Sequence, residues 1–254
     1  MDKKTGTKEW SDHSLNFQKG CENDCRYCYA RHFAVEGRFK YMTQEQWDNP
    51  TIDQKKVDKK YGKLKGVIMF PTTHDIVPGN ISEYCCVLRK LLDAGNDVLI
   101  VSKPNWECIS LICEGFKEHR DKILFRFTIG STSDDVLRFW EPNAPSVLER
   151  LSCLQYAFEA GYKTSVSCEP YLDPYVVYTY TACKPYITDS FWVGKLRHFN
   201  SRVKLDDATP EQIKKYVDTL KAASGDDVVR GIYRLLDGQP FIQWKDSIKE
   251  IMGL

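Results

Sequence analysis

The feature that most constrains the fold is an alternation of strand and helix that recurs six times along the chain. Short apolar runs such as Gly66–Phe70 and Asp97–Val101 are typical of strands buried on both faces, and helical periodicity follows them. Apolar strands connected by helices indicate a parallel sheet with right-handed crossovers. The six predicted strands cover residues 13–18, 66–70, 97–101, 123–129, 163–168 and 190–194.

The alternation by itself leaves two closures open, a flat doubly wound sheet and a curved barrel. Six units are too few for an eight-stranded barrel. The remaining residues, 206–254, have a mostly helical pattern, with Thr209 as a predicted N-cap and Pro210 at the first helical position. We therefore expect a strand–helix domain over residues 1–205 and a C-terminal helical extension over residues 206–254 that packs on it.

Composition places the chain among globular proteins. The 254 residues carry 36 basic and 35 acidic side chains, so the global charge indicates no polyanionic partner. No apolar run is long enough to span a membrane, and the polar residues that follow Met1 give no sign of a signal peptide. Ten cysteines are too sparse for a disulfide scaffold. A reducing cytoplasm is the expected location.

Three cysteines form the sharpest local motif. Cys21, Cys25 and Cys28 have C-x3-C-x2-C spacing, on a loop between the first predicted strand and a helix that begins near Ala30. Three thiolates this close cannot all pair as disulfides, whereas a metal or a cluster can collect them. Two alternatives stay open: a Cys3His zinc site completed by His32, and a disulfide with one free thiol.

The spacing, with the aromatic Tyr27 directly before the third cysteine, resembles the signature of the radical SAM superfamily. The resemblance implies a partial (βα)6 TIM-type barrel and a [4Fe–4S] cluster held by Cys21, Cys25 and Cys28. It also implies that S-adenosylmethionine binds the open iron and is cleaved reductively to a 5′-deoxyadenosyl radical, which abstracts hydrogen from a substrate. An external one-electron reductant of the flavodoxin or ferredoxin type is then an expected partner.

Polar groups recur where the predicted strands end. In barrels of this kind the chemistry lies at the carboxyl ends of the strands. Each polar segment alone could serve as a helix cap, but their recurrence at strand after strand favours a site. The segments are the cysteine loop, Thr72–Asp75, Ser102–Lys103, Thr128–Thr132, Cys168–Glu169 and Gly194–Lys195.

Within the superfamily the chain is most similar to the spore photoproduct lyase-like branch, through Pro71–Asp75, Val101–Lys103 and Glu141–Pro145. This resemblance implies that Lys103 and Thr128 contact the polar parts of S-adenosylmethionine. Arg126 shares the strand face of Thr128, where its fork is suited to a carboxylate. The Gly-Gly-Glu stretch that is common after the second strand is replaced by three other residues. The full set of predicted cofactor-binding residues is Tyr27, Thr73, His74, Asp75, Lys103, Arg126, Thr128 and Ser131.

A second departure concerns the hydrogen-donating cysteine that follows the second strand in the lyase. This chain has none there, since Cys85 and Cys86 come a helical turn later. The departure argues against spore photoproduct repair itself. Cys168 and Glu169, at the end of the fifth strand, are the predicted catalytic residues, with a buried structural thiol as the alternative for Cys168.

Two basic runs, Lys55–Lys65 and Lys195–Lys204, could contact the phosphates of a nucleic acid, although a solvated surface is the commoner role. The second run begins where the sixth strand ends and so borders the predicted site, whereas the first precedes the second strand. We therefore expect a radical SAM enzyme that acts on a nucleic-acid base or nucleotide. The alternatives are a radical SAM enzyme acting on a peptide or small molecule, and a zinc-stabilised nucleic-acid-binding protein without catalysis.

Overall fold

The computed structural model describes residues 5–38 and 40–254. Seven parallel strands form the main sheet in chain order, β1-β4-β5-β6-β7-β8-β9, and β2 pairs antiparallel with β3. The strands are β1 His13–Ser14, β2 Gln18–Lys19, β3 Thr51–Ile52, β4 Val67–Met69, β5 Asp97–Ser102, β6 Ile123–Thr128, β7 Lys163–Cys168, β8 Phe191–Val193 and β9 Ile242–Trp244.

Helices connect the strands, and polar side chains begin several of them. Asn105, Ser146 and Thr209 each accept a hydrogen bond from a backbone N–H of the first turn, and Thr209 forms the predicted N-cap. The α-helices are α1 Tyr29–Arg31, α2 Gln44–Asp48, α3 Gln54–Asp58, α4 Ile81–Asp93, α5 Trp106–Gly115, α6 Asp134–Trp140, α7 Val147–Glu159, α8 Val176–Cys183, α9 Phe199–Arg202, α10 Pro210–Gln212, α11 Asp218–Ala223, α12 Asp226–Leu236 and α13 Asp246–Met252. Short 3-10 segments are Gly6–Glu9, Lys117–Lys122 and Lys184–Tyr186, and π-helical turns are His32–Glu36 and Ile213–Val217.

The core lies between the sheet and its helices. Helix α4 buries a stripe of apolar side chains, Val87, Leu88, Leu91 and Leu92. Burying an aliphatic side chain of this size contributes about 1.5–3 kcal/mol, so such stripes fix each helix on the sheet. In helix α7, Leu148 is 73% exposed, and the buried face carries Arg150, Cys153, Leu154 and Ala157.

The predicted alternation is confirmed as a mixed α/β fold with a parallel sheet. The first strand is shorter than predicted, since only His13–Ser14 pairs with β4 and Gln18–Lys19 turns away to pair with β3. A seventh strand comes from the segment that was predicted to be helical: β9 pairs in parallel with β8, with Val193 opposite Trp244. Within residues 5–38 and 40–254 no sheet closes into a barrel, because β1 and β9 are edges that pair with one neighbour each.

The domain boundary at residue 205 stays a prediction. β9 lies beyond that boundary and extends the main sheet of the first predicted domain. In the described part of the chain, none of the helices combines the length and the apolar character that a membrane crossing requires.

Candidate functional site

A cavity of about 430 Å³ lies at the carboxyl ends of the parallel strands. Its walls come from the cysteine loop and from the residues that end or follow β4, β5, β6, β7 and β8. The structure therefore brings together most of the predicted site residues. Those that line the cavity are Cys21, Cys25, Tyr27, Cys28, Thr73, His74, Asp75, Lys103, Thr128 and Glu169.

The cysteine loop owes its course to a few backbone features. Gly20 has φ +83°, and a Cβ there would lie 2.5 Å from the Trp47 carbonyl oxygen, so only glycine fits. The Cys21 amide donates to the same Trp47 carbonyl at 3.2 Å. The third cysteine caps α1, because the Arg31 amide donates to Cys28 Sγ at 3.4 Å. These contacts turn all three cysteines toward one cavity.

The three loop cysteines are free thiols in surroundings that disfavour their ionised form. Burial raises the pKa of Cys21 to about 12, and the Asp75 charge adds to the effect. Burial also raises the pKa of Cys25, against the opposing charge of Lys103, and the pKa of Cys28. Because a metal binds the thiolate, any metal or cluster bound here must displace protons.

The ligand set has no preformed centre for a single metal ion. In the described ranges, no three His, Cys, Asp or Glu side chains converge as ligands of one ion. His32, the fourth ligand of the alternative zinc site, directs Nδ1 to Glu36 Oε2 at 3.2 Å. A tetrahedral zinc site needs all its ligands around one ion, whereas each thiolate of a cubane cluster binds a different iron.

A bracket of hydrogen bonds around Asp75 joins the cysteine loop to the sheet. The Asp75 carboxylate accepts from Asn23 Nδ2 at 2.8 Å, Ser102 Oγ at 2.9 Å and the Lys103 amide at 2.7 Å, and Lys103 Nζ lies 3.2 Å away. Burial opposes the charge on Asp75, but Lys103 and these donors together hold the pKa of Asp75 below its usual value. We call this set the Asp75 bracket.

A second buried chain fixes Tyr27. Its hydroxyl donates to Glu141, which pairs with Arg150 at 2.5 Å in a fully buried ion pair. Arg150 also donates to the Thr128 carbonyl at 3.2 Å and to the Pro145 carbonyl at 2.8 Å. The Glu141–Pro145 segment, which carried part of the family resemblance, therefore holds the cysteine loop against the end of β6.

The side chain of His74 has a hydrogen-bond acceptor, Nε2, that no described residue satisfies. Its Nδ1 lies 3.1 Å from the Asp75 carbonyl oxygen, so this nitrogen carries the proton and Nε2 has a lone pair. Nε2 is buried and has no hydrogen-bond partner within the described residues. Burial lowers the pKa of His74, which keeps the imidazole neutral. A buried acceptor without a partner is costly unless a ligand supplies the donor.

Behind the β7–β9 side of the cavity lies a buried lysine, Lys245, which the sequence did not predict as a site residue. Lys245 is 0% exposed, and its Nζ lies 2.5 Å from Glu9 Oε2, 2.7 Å from the Gly6 carbonyl oxygen and 3.4 Å from Glu169 Oε2. Nζ also lies 4.2 Å from the centre of the Trp10 ring. We call Lys245, Glu9 and Glu169 the Lys245 centre.

The Lys245 centre shifts the titration of Glu169. Burial raises the pKa of Glu169 to about 7, Lys245 opposes the rise and Glu9 adds to it. Gly194 makes the close packing possible, because a Cβ there would lie 2.8 Å from Glu169 Cγ and 2.9 Å from Lys245 Cγ. The Lys245 ammonium is thus shared between the carboxyl groups of Glu9 and Glu169.

Three predicted site residues lie outside the cavity lining. Arg126 donates to Ser165 and Ser190 and stacks on Trp10, toward the start of β7 and β8. Ser131 donates to Asp173. Cys168 is 0% exposed, and because Ser167 and Glu169 line the cavity, the alternation of β7 turns Cys168 to the opposite face. Their roles stay predictions that these positions do not support.

The two basic runs lie at opposite ends of the sheet, as their sequence positions suggested. Lys195, Arg197, His198 and Arg202 line the cavity. Arg197 pairs with Glu250 and lies 3.7 Å from Asp246, and Lys195 Nζ donates to the Ser224 carbonyl at 3.2 Å. In the other run, Lys63 Nζ lies 3.8 Å from Asp97, the first residue of β5.

Comparison with known proteins gives one sequence relative. No protein-family profile matches the chain. An alignment over 180 residues, which covers 66% of the chain, is 27% identical to the uncharacterized protein ORF301 of Acidianus two-tailed virus. The match spans 58% of that protein, less than two thirds of its length.

Solved structures share the fold. A variant of spore photoproduct lyase with a dinucleoside spore photoproduct superposes with a TM-score of 0.53 and 17% identity, over 92% of this chain and 76% of the lyase. SuiB of Streptococcus suis bound to its precursor peptide SuiA also has a TM-score of 0.53, with 11% identity, over 92% of this chain and 48% of SuiB. Both are radical SAM enzymes. The chain therefore has the fold of spore photoproduct lyase and other radical SAM enzymes, which confirms at the level of the fold the relationship that the cysteine motif predicted.

Proposed function

We propose that this protein is a radical SAM enzyme whose cysteine loop holds a [4Fe–4S] cluster beside a binding site for S-adenosylmethionine. The observation that carries the proposal is that the three loop thiols and the polar strand ends line one cavity. Its volume of about 430 Å³ lies within the usual range for small-molecule sites. We take the open parallel sheet to be a partial barrel of the (βα)6 type with one added strand.

The residues present fit the cluster. All three thiols are free, none is committed to a disulfide, and Cys28 Sγ already accepts a backbone hydrogen bond of the kind that stabilises a thiolate. When bound, the cluster and S-adenosylmethionine would together supply the radical that abstracts hydrogen from a substrate. The chain's own part is to position the substrate, exclude water and hold the cofactor's polar groups.

The Asp75 bracket and His74 are the groups suited to the polar end of S-adenosylmethionine. Asp75 already accepts from several protein donors, so its role is to hold Lys103 and Asn23 in place. The Lys103 ammonium, at the cavity wall, can donate to the cofactor carboxylate. His74 Nε2 can accept from the cofactor amino group, in the segment where the family's glutamate is missing. The electron would come from a flavodoxin- or ferredoxin-type partner in a reducing cytoplasm.

Anaerobic reconstitution with iron and sulfide tests the cluster. We expect a brown protein with broad charge-transfer absorption, and loss of most of its iron in Cys→Ala variants at positions 21, 25 and 28. Cys86→Ala, which changes an exposed cysteine on α4, is the matched control. A colourless protein that binds zinc would favour the zinc-stabilised alternative. Full iron content in any one of the three loop variants would remove that cysteine from the ligand set.

For the substrate we propose a nucleic-acid base or nucleotide, because the cavity wall carries Lys195, Arg197, His198 and Arg202. The spore photoproduct lyase of similar fold holds a dinucleoside. The second candidate is a peptide, favoured by the similar fold of SuiB bound to its precursor peptide. A small-molecule substrate remains the third.

Salt titrations separate these substrates. Neutralising Arg197, Arg202 and Lys204 should weaken nucleic-acid binding and flatten its salt dependence by about one unit per lost phosphate contact. Because Arg197 also pairs with Glu250 and Asp246, the Arg202→Gln, Lys204→Gln double variant is the cleaner test. Neutralising lysines 55, 56, 59 and 60 is the control and should do much less. Equal, weak binding by all these proteins would contradict the nucleic-acid substrate.

A further inference from the structure

On the β7–β9 side of the cavity, Glu169 is the carboxyl group of the wall that its neighbours satisfy least. Lys245 makes its shorter contacts to Glu9, at 2.5 Å, and to the Gly6 carbonyl, at 2.7 Å, and leaves Glu169 at 3.4 Å. The side chain of Glu169 is 23% exposed, whereas those of Lys245 and Glu9 are 0% and 8% exposed. Glu169 thus faces the cavity with hydrogen-bonding capacity left over.

Other carboxylates of the cavity wall are more fully engaged. Asp75 accepts from Asn23, Ser102 and Lys103. Asp246 accepts from the Ser247 amide at 2.9 Å and lies 3.7 Å from Arg197. Asp24 also lines the cavity, but it belongs to the cysteine loop, between Cys21 and Cys25. On the β7–β9 side, which also carries the basic residues, Glu169 is therefore the carboxyl group best placed to receive a donor from a ligand.

The surroundings of Glu169 narrow the class of ligand. Basic side chains line the same cavity, among them Lys195 and Arg202 of the loop after β8. A wall that combines basic groups with a less saturated carboxyl matches a nucleotide, which carries an anionic phosphate and N–H donors on its base. Enzymes that act on a base commonly take it out of the stack and read its Watson–Crick edge in a pocket.

We propose that Glu169 determines specificity by accepting a hydrogen bond from a ring N–H of the substrate base, while the basic residues after β8 hold the phosphate. This inference rests on the proposed nucleic-acid function. Guanine, uracil and thymine carry such a ring N–H, next to a ring carbonyl. Since burial raises the pKa of Glu169 to about 7, a protonated fraction can also donate to that carbonyl.

Calorimetric titration of the whole protein with the 5′-monophosphates of guanosine, uridine, adenosine and cytidine tests the proposal. We expect the guanosine and uridine nucleotides to bind most tightly. Glu169→Ala should weaken their binding by at least about tenfold, because a hydrogen bond to a charged group is lost. Glu169→Gln should retain part of the affinity through its amide oxygen. Glu107→Ala, at an exposed position on α5, is the matched control.

N-methylated nucleotides keep the test valid if Glu169→Ala does not fold. Methylation of uracil N3 or guanine N1 removes the ring donor and should weaken binding to the wild type as much as the Glu169 substitution does. The methyl group should weaken binding to Glu169→Gln as well, but by less than it weakens binding to the wild type, because the neutral amide oxygen is the weaker acceptor. If nucleotides bind but neither methylation nor substitution at Glu169 matters, this inference is wrong and the nucleic-acid function stands. If no nucleotide binds the wild type, both this inference and the proposed nucleic-acid function are wrong.

Discussion

Two lysines near the cavity, Lys103 in its wall and the buried Lys245 behind its β7–β9 side, are neutralised differently. Lys103 faces one carboxylate, Asp75, which also accepts from Asn23, Ser102 and the Lys103 amide. Lys245 is shared between Glu9 and Glu169 and receives a backbone carbonyl as well. Around Lys103, one ammonium faces one carboxylate, and that carboxylate accepts several hydrogen bonds. Around Lys245, one ammonium faces two carboxyl groups, and Glu169 has the longer contact.

The titration of the two carboxyl groups follows this difference. Both are largely withdrawn from solvent, with side chains 11% exposed for Asp75 and 23% for Glu169, and this raises the pKa of a carboxyl group. At Asp75 the lysine and the hydrogen-bond donors outweigh burial, so its pKa lies below the usual value. At Glu169 burial outweighs a shared lysine, so the pKa rises to about 7. The Asp75 carboxylate, whose acceptors are all engaged, holds the cysteine loop against the sheet. The Glu169 carboxyl group, which has fewer partners, is available to a ligand.

The largest expected effect is a difference in the free energy of unfolding between a variant of Lys245 and a variant of Lys103. Lys245→Met removes the ammonium that Glu9 and Glu169 share and leaves Glu9 with the more distant Lys249, whose Nζ lies 3.8 Å away. Removing one partner of a buried ion pair costs about 3–5 kcal/mol of the free energy of unfolding. Lys103→Met should cost less, about 1–3 kcal/mol, because Asp75 keeps its other donors. Urea unfolding of both variants and the wild type, followed by circular dichroism, measures the difference. Equal losses would mean that the two centres do not differ as described.

The next effect depends on pH and involves the Lys245 centre alone. The pKa of Glu169 is about 7 in the folded protein and near 4.5 in the unfolded chain. The folded protein therefore holds a proton that the unfolded chain has released, and the contribution of Glu169 to stability falls as pH rises through this window. Relative to the wild type, Glu169→Gln should gain about 2–3 kcal/mol in the free energy of unfolding between pH 4.5 and pH 8.

Urea unfolding at several pH values checks this sign. Glu107→Gln, an exposed carboxyl on α5, serves as the control, since it should shift stability by the same small amount at every pH. A stability difference between Glu169→Gln and the wild type that stays constant with pH would contradict the underpaired state of Glu169.

A third effect tests whether the Asp75 bracket serves the cofactor. Lys103→Ala should weaken binding of S-adenosylmethionine by at least about tenfold, because a charge-assisted hydrogen bond of about 1.5–3 kcal/mol is lost. Calorimetry on the reconstituted protein measures this. Glu169→Gln should leave the cofactor affinity nearly unchanged, since Glu169 lies on the β7–β9 side. An unchanged affinity in Lys103→Ala would remove Lys103 from the cofactor site.

The smallest effect probes a single contact of the Asp75 bracket. Ser102 Oγ donates to Asp75 Oδ1 at 2.9 Å and accepts from the Ile76 amide at 3.0 Å. Ser102→Ala should lower the free energy of unfolding by about 1–3 kcal/mol, toward the lower end because Asp75 retains other donors. Ser110→Ala, at a position on α5 with a single side-chain bond to the Glu107 carbonyl, should change it little. Thermal unfolding of the two variants distinguishes them.

The sequence predicted the side of the cavity that is formed by the cysteine loop and the residues after β4 and β5, because short sequence motifs identify these residues. The cysteine spacing, Tyr27 and the polar residues after β4 and β5 all lie in short motifs, and the order of parallel strands brings their ends together. The prediction for Cys168 shows its limit. Position at the end of a strand does not determine which face a side chain takes, and β7 turns Ser167 and Glu169 to the cavity instead.

Arg126 and β9 show two other limits. The strand face predicted for Arg126 agrees with its contact to Ser165, but a long side chain can run along the sheet, and the guanidinium ends beside Ser190 and Trp10. β9 has three residues, Ile242–Trp244, within a largely helical segment, too few for a periodic signal. Lys245, which follows β9, had no local signal because its partners are distant in the chain.

That distance affects how the protein is made. Lys245 and Gly6, which share a hydrogen bond, are 239 positions apart in the chain. During vectorial synthesis the cysteine loop leaves the ribosome before the β7–β9 side of the cavity can form, because that side requires Lys245. Long-range contacts of this kind slow folding and leave apolar surface exposed in the meantime. The three thiols would therefore be accessible in the nascent chain while the cavity is still incomplete, so a metal or cluster could reach them before the cavity closes.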